Sequence, residues 1–154
     1  MGQIKEMEMI MKKILPIMAL VSFSVISFAK DNYDEKCSLV KNVEIGLSVY
    51  PTIIESINNY FLNNGIDVGN VSKTRKIINY KDWYIAEVEV ENGEPVVILI
   101  NKVNNKLSVK GLFGGTAAPE KTIYAIRREF KKKNPNVPSI LLNCYVPVGE
   151  PFNN

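Results

Sequence analysis

Asp82-Trp83-Tyr84-Ile85-Ala86-Glu87-Val88-Glu89-Val90 alternates along its length, and that alternation decides the fold. With a side-chain period of two, Tyr84, Ala86, Val88 and Val90 share one face of a strand, while Glu87 and Glu89 take the other. Glu91-Asn92-Gly93-Glu94 follows, and its Asn-Gly pair predicts a hairpin turn with positive φ angles. Pro95-Val96-Val97-Ile98-Leu99-Ile100 is apolar at every position, as expected of a central strand covered on both faces. Asn104-Asn105 reads as a second turn, and Lys106-Leu107-Ser108-Val109-Lys110 alternates again. The stretch up to Gly115 is thus a β-meander, and the remaining chain must supply its core.

Toward the N-terminus, Ile53, Ile54, Ile57, Tyr60 and Phe61 repeat at helical spacing between Pro51 and Asn64. Pro51 suits a first helical turn, and Asn63-Asn64-Gly65 is a stop signal. Val71 to Tyr80 predicts a first strand, with Lys73, Arg75 and Lys76 marking it as a sheet edge that resists unwanted pairing. Toward the C-terminus, Gly111-Leu112-Phe113-Gly114-Gly115 is expected to loosen the backbone and end the sheet. A second helix then starts near Pro119-Glu120, places Ile123, Ile126 and Phe130 on one side, and stops at Asn134-Pro135. Val137 to Leu142 reads as a short apolar tail that packs on the core. Lys30 to Val43 is polar and is expected to be loosely ordered except where Cys37 ties it down. The fold class is α+β: a helix on a four-stranded antiparallel meander, with a second helix at the C-terminal end.

The first 29 residues read differently. Lys12 and Lys13 precede an apolar run from Ile14 to Phe28, and Ser27-Phe28-Ala29 is a small-x-small cleavage site. This is the pattern of a secretory signal peptide cut after Ala29. The run is shorter than the about 20 residues that span a bilayer, and Pro16, Ser22 and Ser24 interrupt it. Met11 is an alternative start, because Glu6 and Glu8 do not belong in a signal n-region. Residues 30–154 then form one exported domain, periplasmic or secreted, of 125 residues. Its 16 Lys+Arg against 14 Asp+Glu give too small a net charge to imply nucleic acid.

Cys37 and Cys144, one near each end of that domain, are expected to form a disulfide, since an even count in an oxidising compartment favours pairing. A redox pair needs close-spaced thiols such as Cys-x-x-Cys, which this spacing does not supply. Asp34-Glu35-Lys36 is not the small apolar lead-in that a lipid-modified cysteine requires.

Helix, strand and three meander strands resemble the cystatin-like and NTF2-like architectures, in which a curved antiparallel sheet wraps a long helix. Asp82-Trp83-Tyr84-Ile85-Ala86, the Lys106-to-Gly111 strand, and Val137-Pro138 ahead of Cys144 are similar to a pattern in small exported bacterial proteins. The resemblance spans roughly Tyr80 to Cys144 and carries over no catalytic residue.

The chain has no histidine, which removes the commonest general base and metal ligand. No metal, cofactor or catalytic set is expected. Glu87 and Glu89 would act as an acid/base pair only in a cleft that pushed their pKa values apart. As a solvated strand face opposite lysines they need nothing special, and that is the expectation. Gly114, Gly115 and Thr116, ahead of a helix, read either as a candidate anion cradle, without the Gly-Lys-Ser/Thr ending of a nucleotide loop, or as a flexible strand-to-helix turn. Trp83 is expected to pack under a terminal segment. The sharpest feature is the basic arc Lys121, Arg127, Arg128, Lys131 and Lys132 on the second helix, which reads either as a solvated face or as an electrostatic docking surface for an acidic partner or an anionic envelope surface. The expected function is therefore non-enzymatic: an exported binding protein, such as an inhibitor or immunity factor for a protein partner. A small-ligand binder using the concave sheet face is the alternative.

Overall fold

The computed structural model describes residues 36–114 and 119–149, with side chains outside 119–122. The chain divides between Ser38 and Leu39, and every element below belongs to the second unit, Leu39–Asn154. In chain order these are β1 (Lys41–Asn42), α1 (Val49–Asn63), β2 (Val71–Tyr80), β3 (Trp83–Val90), β4 (Val96–Val103), β5 (Lys106–Gly114), α2 (Pro119–Lys133) and α3 (Ser139–Cys144). The signal segment expected at residues 1–29 lies outside the described residues. Among the described residues, no helix is long and apolar enough to cross a membrane.

The sheet is antiparallel throughout and its order follows the chain, β1-β2-β3-β4-β5. Five strands replace the expected four. The extra one is β1, two residues pairing Lys41 with Asn79 and Asn42 with Ile78, so the polar N-terminal stretch is not wholly irregular. The expected Asn92-Gly93 hairpin also differs, because neither residue takes a positive φ. That connection bonds instead to the loop after α1: Glu91 N–H donates to the Asn70 carbonyl and Asn92 N–H to that of Val68. Positive φ falls at Asn104 and Asn105 (50° and 62°), a two-residue hairpin of the primed type, and at Lys81.

Both faces of the sheet are covered. On one, α1 lays Ile53, Ile57 and Phe61 across Ile77, Tyr84, Ala86, Val88, Ile98 and Ile100. These three helical residues are spaced by four, and each contributes about 1.5–3 kcal/mol by leaving water. The helix closes as the Asn-Asn-Gly signal predicts. Gly65 N–H donates to Leu62 and Ile66 N–H to Phe61, a pair of bonds that satisfies the last carbonyls, with Gly65 at φ 63°.

On the other face, Ile126 and Phe130 of α2 join Val137, Leu141, Leu142 and Tyr145 over Ile78, Ile85, Val97 and Leu99. Trp83 is half-buried and packs against this second cluster. The apolar tail is more than a tail, since Ser139–Cys144 is helical. The glycine-rich stretch does not end the sheet at Gly111 either: β5 runs on, pairing Gly111 with Leu99 and Gly114 with Val96. Gly111 has a packing role. A Cβ there would lie 3.3 Å from the Phe130 ring, so the missing side chain lets α2 settle onto the strand.

Cys37 and Cys144 are disulfide-bonded. The closed loop contains roughly a hundred residues, for which chain entropy gives about 4–5 kcal/mol. Reduction, or Cys144→Ser, is expected to lower unfolding stability by that order. Thermal melts with and without reductant check this, and an unchanged melting temperature would contradict it.

Candidate functional site

The strand face bearing Glu87 and Glu89 is not a solvated ladder. Glu87 is 2% exposed, the one buried charged residue among those described. β2 explains how its partner arrives. Register shifts between Val71 and Lys73 and between Thr74 and Lys76 leave Arg75 as an extra residue opposite the β3 ladder. That bulge aims its guanidinium at the carboxylate, with Nη1 3.0 Å from Glu87 Oε1. Oε2 accepts hydrogen bonds from the Tyr145 hydroxyl at 2.8 Å and from the Val148 N–H at 2.9 Å. Lys76 Nζ donates to the Val146 carbonyl at 3.3 Å. Glu89 is the more open member, shared at 3.6 Å between Arg75 Nε and Lys73 Nζ.

Chemically, this cluster is a clasp. Both oxygens of Glu87 are engaged, one by Arg75 and the other by Tyr145 and Val148, in contacts that tie protein to protein. The segment after α3 is what it holds. Among the described residues, every buried side-chain nitrogen and oxygen has a hydrogen-bond partner, and no group of three or more acidic or cysteine ligands could hold a metal ion.

The basic arc of α2 separates into two functions. Arg127 turns inward along the end of α3: Nε donates to the Leu142 carbonyl at 2.8 Å, and Nη2 to those of Asn143 at 2.7 Å and Tyr145 at 3.2 Å. A guanidinium on the last carbonyls of a helix satisfies groups that have no intrahelical partner and complements the dipole. Lys131 Nζ likewise donates to the Val137 carbonyl at 2.8 Å. Arg128 and Lys132 are exposed, without a partner among the described residues. Lys121 lies in α2, with its side chain outside the described residues. Lys133 sits 3.9 Å from Glu129, an exposed pair worth little.

The residue that sequence reasoning missed is Tyr124, 70% exposed. Positions 124, 128 and 132 are spaced by four, so Tyr124, Arg128 and Lys132 form one row on the solvent side of α2. The signal was in the sequence: at about 100° per residue Tyr124 lies well away from the stripe of Ile123, Ile126 and Phe130, on the side of Arg128. Of the candidate anion cradle, Gly114 ends β5 opposite Val96, while Gly115 and Thr116 lie outside the described residues.

Comparison with protein-family models, with curated proteins and with solved structures finds no match for this chain.

Two outcomes are expected here. Glu87→Ala leaves the Arg75 charge, the Tyr145 hydroxyl and the Val148 N–H without their acceptor, and should cost about 3 kcal/mol, whereas Glu87→Gln, which keeps an acceptor, should cost less. Urea unfolding of the two variants measures the difference. The second outcome concerns Tyr84, whose pKa is raised above its ordinary value of 10.0 by burial and then by the negative charge of Asp82. The unfolded chain therefore ionises first. Stability from this group is fully present below about pH 10 and is lost as pH rises through the folded pKa. Above pH 10 the parent should lose stability faster than Tyr84→Phe, and ultraviolet titration should show one delayed phenol that the variant lacks.

Proposed function

We propose that this chain is an exported, non-enzymatic binding protein that docks an acidic surface of a protein partner through the solvent row of α2. The carrying observation is that row: a largely exposed tyrosine in line with Arg128 and Lys132, with neither cation neutralised by a described residue. Tyr and Arg are the residues that dominate contact energy in protein interfaces, because both present large, stiff, amphipathic surface. Long-range attraction by the cations would speed encounter with an acidic partner. The inward bonds of Arg127 and Lys131 support the reading in another way. They fix the helix against α3, so the row stands on a rigid base. An inhibitor or immunity factor in the periplasm or outside the cell fits such a small disulfide-linked scaffold.

Other chemistry finds less support. The sheet face that would form a ligand cup is filled by α1, whose Ile53 and Ile57 are 0% exposed. The paired carboxylates are consumed by the clasp, and both cysteines are bonded.

The test uses the full exported chain as bait against the exported fraction of its source cells. An acidic protein should be retained at low salt, released as salt rises, and bound at least about tenfold more weakly by Tyr124→Ala/Arg128→Gln/Lys132→Gln. Melting of that variant should match the parent. Equal retention by parent and variant would overturn the reading.

A further inference from the structure

The two edges of the sheet are defended unequally. Along β2, β1 covers Ile78 and Asn79, the Val43 N–H reaches the Ile77 carbonyl, and two bulges distort the remainder. β5 closes the other side of the sheet, and no strand among the described residues lies beyond it. Between the Asn104-Asn105 turn and the bulge at Lys110, Lys106 to Val109 keep an unbroken register with β4.

Which backbone groups of that edge are free follows from the turn. A two-residue primed hairpin closes on a hydrogen-bonded pair, here Val103 and Lys106. The next pair, Lys102 with Leu107, then turns its groups away from each other. The structure agrees, for the Lys102 N–H points to the opposite side and donates to the Asp82 carbonyl at 2.7 Å. By alternation Leu107 and Val109 aim both N–H and C=O outward. No described residue bonds to them there.

This edge borders a groove whose far wall is α1. The wall presents Thr52, Ser56, Asn59 and Asn63, spaced by four, three and four, which is one continuous helical row, with Glu55 and Tyr60 beside it. All four carry hydroxyl or amide groups, none with a hydrogen-bond partner among the described residues. An exposed edge with a row of polar side chains running beside it is the arrangement that captures an extended peptide. Backbone bonds supply affinity, and alternate side chains meet the helix.

We propose that the free edge of β5, together with the polar row of α1, binds an extended, polar peptide segment of a partner protein as a sixth strand. The occupant is a segment of another protein rather than a second copy. Antiparallel pairing of two β5 edges about Ser108, the register that joins Leu107 of each to Val109 of the other, would set Lys106 against Lys110, and like charges so placed repel. This surface shares no residue with the α2 row, so it stands or falls separately from the docking reading above.

The experiment uses the full exported chain and peptides selected from a random displayed library, resynthesised free. In the chain alone, amide hydrogen exchange should be fast at Leu107 and Val109 and slow at Ser108. A selected peptide should slow the two outer amides at least about tenfold. Val109→Pro removes one outward donor without touching the β4 ladder, and should weaken binding about three- to tenfold. N-methylation of alternate peptide amides should do the same, a readout independent of whether the proline variant folds. Tyr124→Ala/Arg128→Gln/Lys132→Gln should bind the peptide unchanged. Any of four results would overturn the proposal: outer amides already protected in the dilute chain, protection that grows with protein concentration alone, peptides indifferent to N-methylation, or no peptide selected.

Discussion

A strand that is apolar on both faces imposes the architecture. Val96 to Ile100 are all buried, and in an antiparallel sheet their side chains alternate between two surfaces that each require cover. One amphipathic helix can shield only one of them. α1 takes the side carrying Ile98 and Ile100, which leaves Val97 and Leu99 to whatever the rest of the chain can bring. The last thirty or so described residues answer that demand. α2, the turn after it, α3 and Tyr145 contribute one contiguous apolar layer, and Gly111 clears the space for Phe130.

Covering a sheet with short pieces raises the question of what holds the pieces, since a six-residue helix has little stability of its own. Charged groups here act mainly as internal ties. Glu87 engages the segment after α3, while Lys131 grips a carbonyl just before α3 and Arg127 grips carbonyls at its C-terminal end. Each such bond is charge-assisted, the stronger kind. The disulfide adds a covalent limit on the same region. The charges remaining at the surface, Arg128 and Lys132, are therefore a small residue of a basic helix, and their setting beside Tyr124 gives them meaning.

What could be read from the sequence follows the range of the forces involved. β2, β3 and α1 were legible because alternation, helical spacing and the Asn64-Gly65 stop act within a few residues. β1 was not, for two residues become a strand only by pairing with Ile78 and Asn79, more than thirty positions away. Asn92-Gly93 carried a strong local turn preference, and the loop containing Val68 and Asn70 overrode it with two backbone bonds. Glu87 looked like any outward glutamate, because its hydroxyl and N–H donors lie some sixty residues downstream. Helical spacing set Arg127 nearer the apolar stripe than Arg128, but the carbonyls that Arg127 meets, fifteen to eighteen residues on, were not legible. Only the placement of α3 turns one inward and leaves its neighbour to solvent.

The order of the strands in the sheet is their order in the chain, and this has a bearing on how the molecule forms. Each new hairpin can be laid beside the one before it without waiting for distant sequence, so sheet growth can keep pace with emergence of the polypeptide. Residues that shield Ile85, Val97 and Leu99 arrive last. Until they do, a nascent intermediate displays a wet, greasy plane to its neighbours, and the vulnerable moment for aggregation falls after the meander is complete rather than before. Catalysts of sulfur pairing that act on late intermediates would shorten that interval.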